Sequence, residues 1–356
     1  MGSTVSTEIA TTTEDLARAG VATKVPLLEV RDLKVRFTQN GRTVRAVDGV
    51  NYSLQSGKTL AIIGESGSGK TVSSRAIMGL LPGTARISGS AKFEGVELLG
   101  MSDKELRTRR GPDFAMVFQD PARSLNPTMR IGIQITEAIR SHFDVSKAEA
   151  KKQAINLLQM VRLPSAETRF SEYPHQLSGG MRQRVMIAIA LSCHPKLLIA
   201  DEATTALDVT TQAQIMELLE DLQTELNMAL ILISHDMGLA ASFTDEVVVM
   251  YAGRVVEQAP TRTLFSNVRM PYTKVLLDAI PRLENKSHTL LPVVQGRPPD
   301  LTALPPGCSF SPRCPYVQED CRETEPPLVE HEPDHIWACF HPVNEGSPVT
   351  EGSLAK

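Results

Sequence analysis

A glycine-rich run between residues 64 and 71 has the spacing of a phosphate-binding loop, and it follows an apolar run that ends at Ile63. Glycines let backbone N–H groups surround a phosphate, and a helix that begins beyond them adds positive potential. In this pattern Lys70 is expected to reach the β- and γ-phosphates of a nucleotide, and the Thr71 hydroxyl to bind Mg²⁺. We therefore predict that the following residues bind the nucleotide: Gly64, Glu65, Ser66, Gly67, Ser68, Gly69, Lys70 and Thr71.

An acidic pair, Asp201 and Glu202, follows the short apolar run Leu197–Ala200. Taken alone, two acids after an apolar run are more typical of a strand end than of a catalytic pair. In a chain with a phosphate loop, the first carboxylate can orient Mg²⁺ and its waters, and the second can polarise an attacking water. The pair therefore predicts nucleotide hydrolysis, with Asp201 as a Mg²⁺ ligand and Glu202 as the group that acts on water.

A second anion-binding segment is predicted at Ser178, Gly179 and Gly180, just before an apolar helix that includes Val185. Backbone N–H groups and a hydroxyl at a helix start can donate to a phosphate. One nucleotide needs only one such site in its own chain, so the second is explained if it binds the nucleotide of another subunit. Without the other motifs, the segment would indicate only a serine N-cap after a turn.

Together these motifs, in this order over about residues 26–265, resemble the ATP-binding subunit of an ATP-binding-cassette (ABC) transporter. The resemblance implies that Gln119 senses Mg²⁺ and the γ-phosphate, and that His235 contacts the γ-phosphate and holds Glu202 and water in line. It also implies that Asp208 communicates across a nucleotide sandwich and that Phe37 stacks on adenine. The cofactors are then ATP and Mg²⁺. The implied catalytic residues are Glu202, His235 and Gln119, and the implied Mg²⁺ ligands are Thr71, Gln119 and Asp201.

The elements that must position these residues indicate an α/β fold. The apolar runs Thr59–Ile63, Leu197–Ala200 and Ala229–Ile233 predict buried parallel strands with helices on both faces. Strand patterns between residues 27 and 47 predict an antiparallel sheet, and apolar residues at helical spacing predict a helical subdomain at about 120–178. The resemblance implies an ABC-type nucleotide-binding domain, with a P-loop NTPase core sheet, an antiparallel β subdomain and this inserted helical subdomain.

The chain divides into four predicted segments. The nucleotide-binding domain covers residues 26–285, and a proline-dense stretch after Ile280 predicts the boundary of a small C-terminal module at 286–342. The polar ends, residues 1–25 and 343–356, are predicted to be disordered. The C-terminal module therefore needs its own source of stability, because it has little hydrophobic material.

Four of the five cysteines lie in the C-terminal module, and in a reducing compartment such a group indicates a metal more than disulfides. Their wide spacing lacks the paired knuckles of a zinc ribbon, and it favours a structural 4Fe–4S cluster. Zinc, with His331, His335 or His341 as substitute ligands, and the absence of any metal are the alternatives. The fifth cysteine, Cys193, is predicted to be a small buried hydrophobe. The predicted cluster ligands are Cys308, Cys314, Cys321 and Cys339.

Composition excludes several classes of partner. The formal charge is −4, from 37 basic and 41 acidic residues, so a nucleic-acid partner is disfavoured. The longest near-apolar run is about seven residues, far below the ~18 needed to cross a bilayer. No secretory signal is recognised. Together with the resemblance to an ABC transporter subunit, the missing span implies a peripheral protein on the cytoplasmic face of the inner cell membrane. It would use the pore of separate permeases and dock to them through the helical subdomain.

The segments Met270–Leu277, Ile280–Leu283 and Pro305–Pro315 resemble the extension of oligopeptide and dipeptide importers. This implies an ATP hydrolase of the translocase class that powers short-peptide import through two permease subunits. A second related ATPase subunit, or a second copy, would complete the nucleotide sandwich, and an extracytoplasmic binding protein would deliver substrate. Import of nickel or another small solute is the alternative. Soluble ABC ATPases of DNA repair or translation fit less well, because Gln119 and Ser178 are only about 60 positions apart and the chain has one cassette.

Overall fold

The computed structural model describes residues 25–39, 41–205, 207–280 and 294–343. Nearly all of the two predicted disordered ends, and the predicted domain boundary near residue 285, lie outside these ranges. Within them, no helix has both the length and the apolar character needed to cross a membrane. The strands are β1 (Leu28–Gln39), β2 (Arg42–Leu54), β3 (Thr59–Ile63), β4 (Ala85–Phe93), β5 (Val96–Glu97), β6 (Phe114–Val117), β7 (Leu197–Asp201), β8 (Ala229–Ser234), β9 (Glu246–Tyr251), β10 (Arg254–Pro260), β11 (Val329–Glu332) and β12 (His335–Trp337).

The smaller sheet is antiparallel, in the order β2-β1-β4-β5. Its strand β1 contains two apolar segments that the sequence pattern indicates as separate strands. A register shift between Val30 and Leu33 keeps both of these side chains buried although they are three positions apart, and Asp32 has a φ of 45° at this bulge. The predicted antiparallel sheet is thus present, with one bulged strand where the pattern indicates two short ones.

The larger sheet has the order β11-β12-β10-β9-β3-β8-β7-β6. Strands β3, β6, β7, β8 and β9 are parallel, and β3, β7 and β8 are buried along their whole length. Full burial explains their continuous apolar runs, because helices cover both faces. The three predicted parallel strands are confirmed, and the phosphate loop and the acidic pair both lie at the carboxyl edge of this sheet.

The helices surround the larger sheet, and those between residues 121 and 190 pack on one another. Ile135 and Ile139 of one helix and Leu157 and Leu158 of the next are buried in a common core, as their spacing predicts. Short 3₁₀ helices cover Pro174–Gln176, Leu191–Cys193 and Ser311–Arg313. The α-helices are α1 (Lys70–Ile77), α2 (Asp103–Arg109), α3 (Pro121–Ser124), α4 (Ile131–His142), α5 (Lys147–Met160), α6 (Ala166–Arg169), α7 (Gly179–Ala190), α8 (Val209–Glu225), α9 (Met237–Phe243), α10 (Thr261–Ser266), α11 (Pro271–Asp278) and α12 (Asp320–Glu323).

The C-terminal module is built onto the larger sheet. Its strand β12 pairs with β10, with Trp337 opposite Glu257, and β11 pairs with β12. Phe310 of the module packs edge-on against Tyr251 and Tyr272, with ring centroids 5.3 Å apart in both pairs. The module therefore shares backbone hydrogen bonds with β10, and an apolar core with β9 and with β3, the strand that leads to the phosphate loop.

Candidate nucleotide-binding site

The phosphate loop connects β3 to α1, and its backbone leaves room only for glycine at its end. Gly69 has a φ of 101°, and a Cβ there would lie 2.4 Å from the carbonyl oxygen of Ala46. Both the left-handed conformation and the close approach exclude larger residues. The turn allows the chain to enter α1 directly, so the helix N-terminus faces the loop.

Lys70 is folded back inside the loop. Its Nζ donates to the carbonyl oxygens of Gly64, at 2.6 Å, and Glu65, at 2.9 Å. Burial lowers the pKa of this ammonium, and the nearby carboxylates of Glu202 and Asp201 act in the opposite direction. The site therefore holds a cation at the place where the motif expects phosphate oxygens.

Asp201 and Thr71 lie side by side, as a shared Mg²⁺ site requires. The Thr71 hydroxyl donates to Oδ1 of Asp201 at 2.6 Å, and Nη2 of Arg75 lies 3.7 Å from Oδ2. Asp201 as a whole is 1% exposed, and burial raises the pKa of its carboxyl while the hydrogen bond from Thr71 lowers it. Two hard oxygen donors in a buried acidic position fit Mg²⁺.

Glu202 lies one residue beyond the strand end in a left-handed conformation, with a φ of 47°. Its backbone N–H donates to the carbonyl oxygen of Ile233 at 2.9 Å, which holds the turn against the neighbouring strand β8. Gln119 donates from Nε2 to Oε2 of Glu202 at 2.6 Å, and Nδ1 of His235 lies 3.8 Å from Oε1. The structure thus brings the three predicted catalytic side chains together, next to Asp201 and the phosphate loop.

The second predicted anion site lies at the start of α7, where the Ser178 Oγ accepts from the Met181 N–H at 3.3 Å. A Cβ on Gly180 would lie 2.6 Å from Cγ2 of Thr211, so this glycine lets α7 approach α8. Thr211 in turn donates from its N–H and its hydroxyl to Asp208, and these bonds lower the pKa of that carboxyl. The segment and Asp208 are therefore packed together as neighbours.

Two groups of predicted residues are not joined to the phosphate loop within the chain. Among the described residues, no hydrogen bond connects Ser178 or Asp208 with that loop. Phe37 packs against the core beneath the smaller sheet, and its ring is partly buried there. Nucleotide contacts by these residues remain predictions.

Three side chains at the site were not predicted. Arg75 lies beside Asp201, while Tyr272 and Arg313 both contact Glu65 of the phosphate loop. Arg75 lies outside the motif, although its position one turn after Thr71 on α1 could have predicted that it lies near the Mg²⁺ site. Tyr272 and Arg313 are more than 200 positions from the loop, and no local pattern marks such contacts.

The four cysteines of the C-terminal module line one small pocket, together with Pro271 and Tyr316. None of them forms a disulfide. Burial raises the pKa of the Cys314 and Cys339 thiols to about 12, and the negative charge of the other cysteines acts in the same direction. These shifts favour the neutral thiols, and a bound cation would be needed to hold the cysteines as thiolates. Four cysteines in one pocket are nevertheless a donor set that fits a metal centre.

The spacing of these sulfurs bears on which metal centre they suit. In the described part of the chain, the only three or more ligating atoms found within 4.8 Å of one another belong to Asp320, Cys321 and His341. A single tetrahedral zinc with bonds of about 2.3 Å would bring four sulfurs to within about 4 Å of each other. Of the predicted substitute histidines, His331 stacks on Trp337 and His335 bonds to Glu257. Only His341 lines the cysteine pocket among the described residues.

Residues 47–205 match the ABC transporter family, and residues 256–321 match the C-terminal region of oligopeptide/dipeptide transporters. The oligopeptide transport ATP-binding protein OppD of Salmonella typhimurium is 50% identical over 319 residues, which are 90% of this chain and 95% of that protein. The chain belongs to the ABC transporter ATP-binding family. OppD of Bacillus subtilis is 49% identical over 311 residues, 87% of each chain. The predicted family and ATPase class are thereby confirmed.

Solved ABC cassettes share the fold. The dimeric, post-hydrolysis structure of the cassette MJ0796 bound to ADP and Pi has a TM-score of 0.60 and 27% identity, and covers 66% of this chain and 99% of that one. The cassette cbiO1 from Clostridium perfringens, part of the transporter complex cbiONQ, has a TM-score of 0.59 and 28% identity, and covers 68% of this chain and 92% of that one. The predicted ABC-type α/β fold is confirmed.

Proposed function

We propose that this ABC ATPase hydrolyses ATP to power the import of short peptides through two separate permease subunits. The observation that carries the proposal is the likeness to OppD proteins over almost their whole length, including the oligopeptide/dipeptide C-terminal region. The same likeness favours peptides over nickel or another small solute. The protein would act at the inner face of the cell membrane, held there by its permeases.

The hydrolytic chemistry follows from the side chains around the phosphate loop. Lys70 leaves its two carbonyl partners and neutralises the β- and γ-phosphates, while Glu202 accepts a hydrogen bond from the attacking water and polarises it. Gln119 and His235 hold the Glu202 carboxylate in line with the γ-phosphate. Mg²⁺, bound by Thr71, Asp201 and Gln119, would supply the positive charge that offsets charge building on the phosphates.

The predicted nucleotide-binding residues around Ser178 and Asp208, which have no hydrogen bond with the phosphate loop among the described residues of their own chain, would bind the nucleotide of a second subunit. Ser178, Gly179, Gly180 and Asp208 would contact ATP held by the phosphate loop of a related ATPase subunit or a second copy of this chain. The dimeric arrangement of a solved cassette with the same fold supports this sandwich. Two ATP molecules between two cassettes would link assembly to nucleotide binding, and Phe37 would stack on the adenine of its own chain's ATP.

Purification with native partners tests this function. We expect the tagged chain to be recovered with two multi-span permeases and a related ATPase subunit. The ATP turnover of the reconstituted complex should rise when a peptide-loaded extracytoplasmic binding protein is added. Nickel ions with the same binding protein serve as the matched control and should give no rise. Recovery with ribosomes or DNA in place of permeases would contradict the proposal.

For the cysteine pocket, the proposed occupant is a 4Fe–4S cluster that orders the C-terminal module. Each cysteine sulfur around such a cluster binds a different iron, so these sulfurs lie further apart than around one ion. This agrees with the finding that, among the described residues, no three of the four cysteines form a close group of ligating atoms. We expect a brown protein from anaerobic purification, with about four iron and four sulfide per chain. A colourless protein that contains zinc, bound through Cys321, His341 and Asp320, would contradict the cluster.

A further inference from the structure

Glu65, the second residue of the phosphate loop, is held at its N–H, its carbonyl and its carboxylate. Its backbone N–H donates to the Tyr272 hydroxyl at 2.9 Å, and its carbonyl oxygen accepts from Lys70. Its carboxylate receives both Nη atoms of Arg313, Nη1 on Oε2 at 2.6 Å and Nη2 on Oε1 at 2.9 Å. Such a bidentate pair fixes direction as well as distance. Two of these three contacts, those with Tyr272 and Arg313, come from residues outside the cassette's own motifs.

Arg313 is itself fully held. Its side chain is 5% exposed, and each of its five N–H donors has an acceptor. Besides the two bonds to Glu65, Nε donates to the carbonyl oxygen of Gln295 at 2.8 Å, Nη1 to the Tyr251 hydroxyl at 3.2 Å, and Nη2 to the carbonyl oxygen of Val294 at 3.3 Å. A guanidinium whose donors are all bonded is held in one orientation. Its two Nη groups therefore form a rigid fork that binds the Glu65 carboxylate.

The fork is anchored in an aromatic cluster formed by Tyr251, Tyr272 and Phe310. The rings of Tyr251 and Tyr272 are 4.6 Å apart, and Phe310 closes the triangle from the module. Arg313 lies over the Tyr251 ring at 5.8 Å and comes directly before Cys314 in sequence. The guanidinium that binds Glu65 and one of the cysteines that line the pocket therefore lie next to each other in the same short segment.

We propose that Arg313 is a positioning residue for nucleotide binding, through which the C-terminal module keeps the phosphate loop in its binding conformation. The proposal rests on the nucleotide-binding function assigned to this loop. A loop that must order itself on binding loses affinity in proportion to the fraction of molecules in the competent conformation. Arg313 would keep that fraction high by fixing the Glu65 carboxylate through two parallel hydrogen bonds, without being part of the phosphate loop itself.

Full-length variants test this inference. In Arg313→Gln and in Glu65→Gln, we expect the Kd for MgATP to rise about tenfold, as when the competent fraction falls to about one-tenth. KM for ATP should rise in parallel, and in Arg313→Gln kcat should stay within about twofold of the parent. The double variant should bind no more weakly than either single variant, because the two changes remove the same interaction. Arg313→Lys, which keeps one of the two contacts, should recover part of the affinity.

The matched control is Glu325→Gln. Glu325 is another module carboxylate that pairs with a cassette residue, Arg254, and among the described residues neither side chain has a hydrogen bond or ion pair with the phosphate loop. Amide hydrogen exchange of the peptide covering residues 63–70 should speed up in Arg313→Gln and stay unchanged in Glu325→Gln. Fluorescence of Trp337, the single tryptophan of the chain, verifies in each variant that the module stays docked.

Three results would overturn the proposal: unchanged MgATP affinity in Arg313→Gln, the same loss in Glu325→Gln, or additive losses in the double variant. A failure of the proposed function itself is distinguishable, because the parent chain would then neither bind nor hydrolyse MgATP. If the parent binds MgATP and the Arg313 variants match it, only the positioning role is wrong.

Discussion

A buried pair holds the C-terminal module to the larger sheet, and breaking it gives a quantitative test of how the module is attached. His335 on β12 and Glu257 on β10 are both 0% exposed, with Nε2 and Oε1 2.9 Å apart. The same Oε1 accepts the backbone N–H of Arg269 at 2.7 Å. In His335→Leu the carboxylate stays buried and loses its side-chain partner. Removing one member of such a pair costs about 3–5 kcal/mol.

Trp337 provides the assay, because its ring lies 4.9 Å from that of His335 and stacks on His331. With a urea m-value of about 2 kcal/mol per molar, the expected loss lowers the midpoint of the tryptophan transition by about 1.5–2.5 M. Far-ultraviolet circular dichroism, which reports mainly on the cassette helices, should show a smaller shift.

A second substitution makes the reasoning refutable. Glu257→Gln added to His335→Leu replaces the buried carboxyl with a neutral amide and keeps an acceptor for the Arg269 N–H, so the double variant should regain most of the lost stability. A midpoint shift below about 0.5 M in the single variant, or a double variant less stable than the single one, would show that this pair does not hold the module.

Three further predictions concern the cassette. Glu202→Gln should keep MgATP affinity within about twofold but lower kcat by about 100-fold or more, trapping a sandwiched dimer visible by gel filtration; normal turnover in the full complex would exclude Glu202 as the group that polarises water. Gly69→Ala should weaken MgATP binding by about tenfold or more, because a left-handed φ and the Ala46 carbonyl both oppose a Cβ, and calorimetry would measure it. Ile133 and Phe143, 42% and 39% exposed on the helical subdomain, should act in permease docking, so replacing both with Ser should reduce permease recovery in pull-downs while MgATP binding stays unchanged.

The sequence predicts those parts of the fold whose signal is local. β3, β7 and β8 are buried on both faces, so they appear as continuous apolar runs. β6 has only four residues and follows a charged helix, and its role as the edge strand of the larger sheet depends on its pairing with β7. The bulge at Asp32 depends on the register of two partner strands, which a single strand's pattern does not contain.

The candidate site divides in the same way. Lys70, Thr71 and the acidic pair belong to short motifs, so their types and spacing already state their chemistry. The contacts of Gln119 and His235 with Glu202 require the order of the strands, which the family resemblance supplied and spacing alone does not. Arg313 reaches Glu65 across 248 positions, so only the folded chain reveals that contact.

The close packing of α7 against α8 has a consequence for how two cassettes meet. Since Gly180 lies against Thr211, and Thr211 is bonded to Asp208, we expect the serine-glycine segment and the aspartate to move together. In the proposed sandwich, a partner's nucleotide therefore meets both groups or neither. Because the proposed dimer holds two nucleotides, its formation should depend on ATP concentration with a sigmoidal rather than a hyperbolic curve.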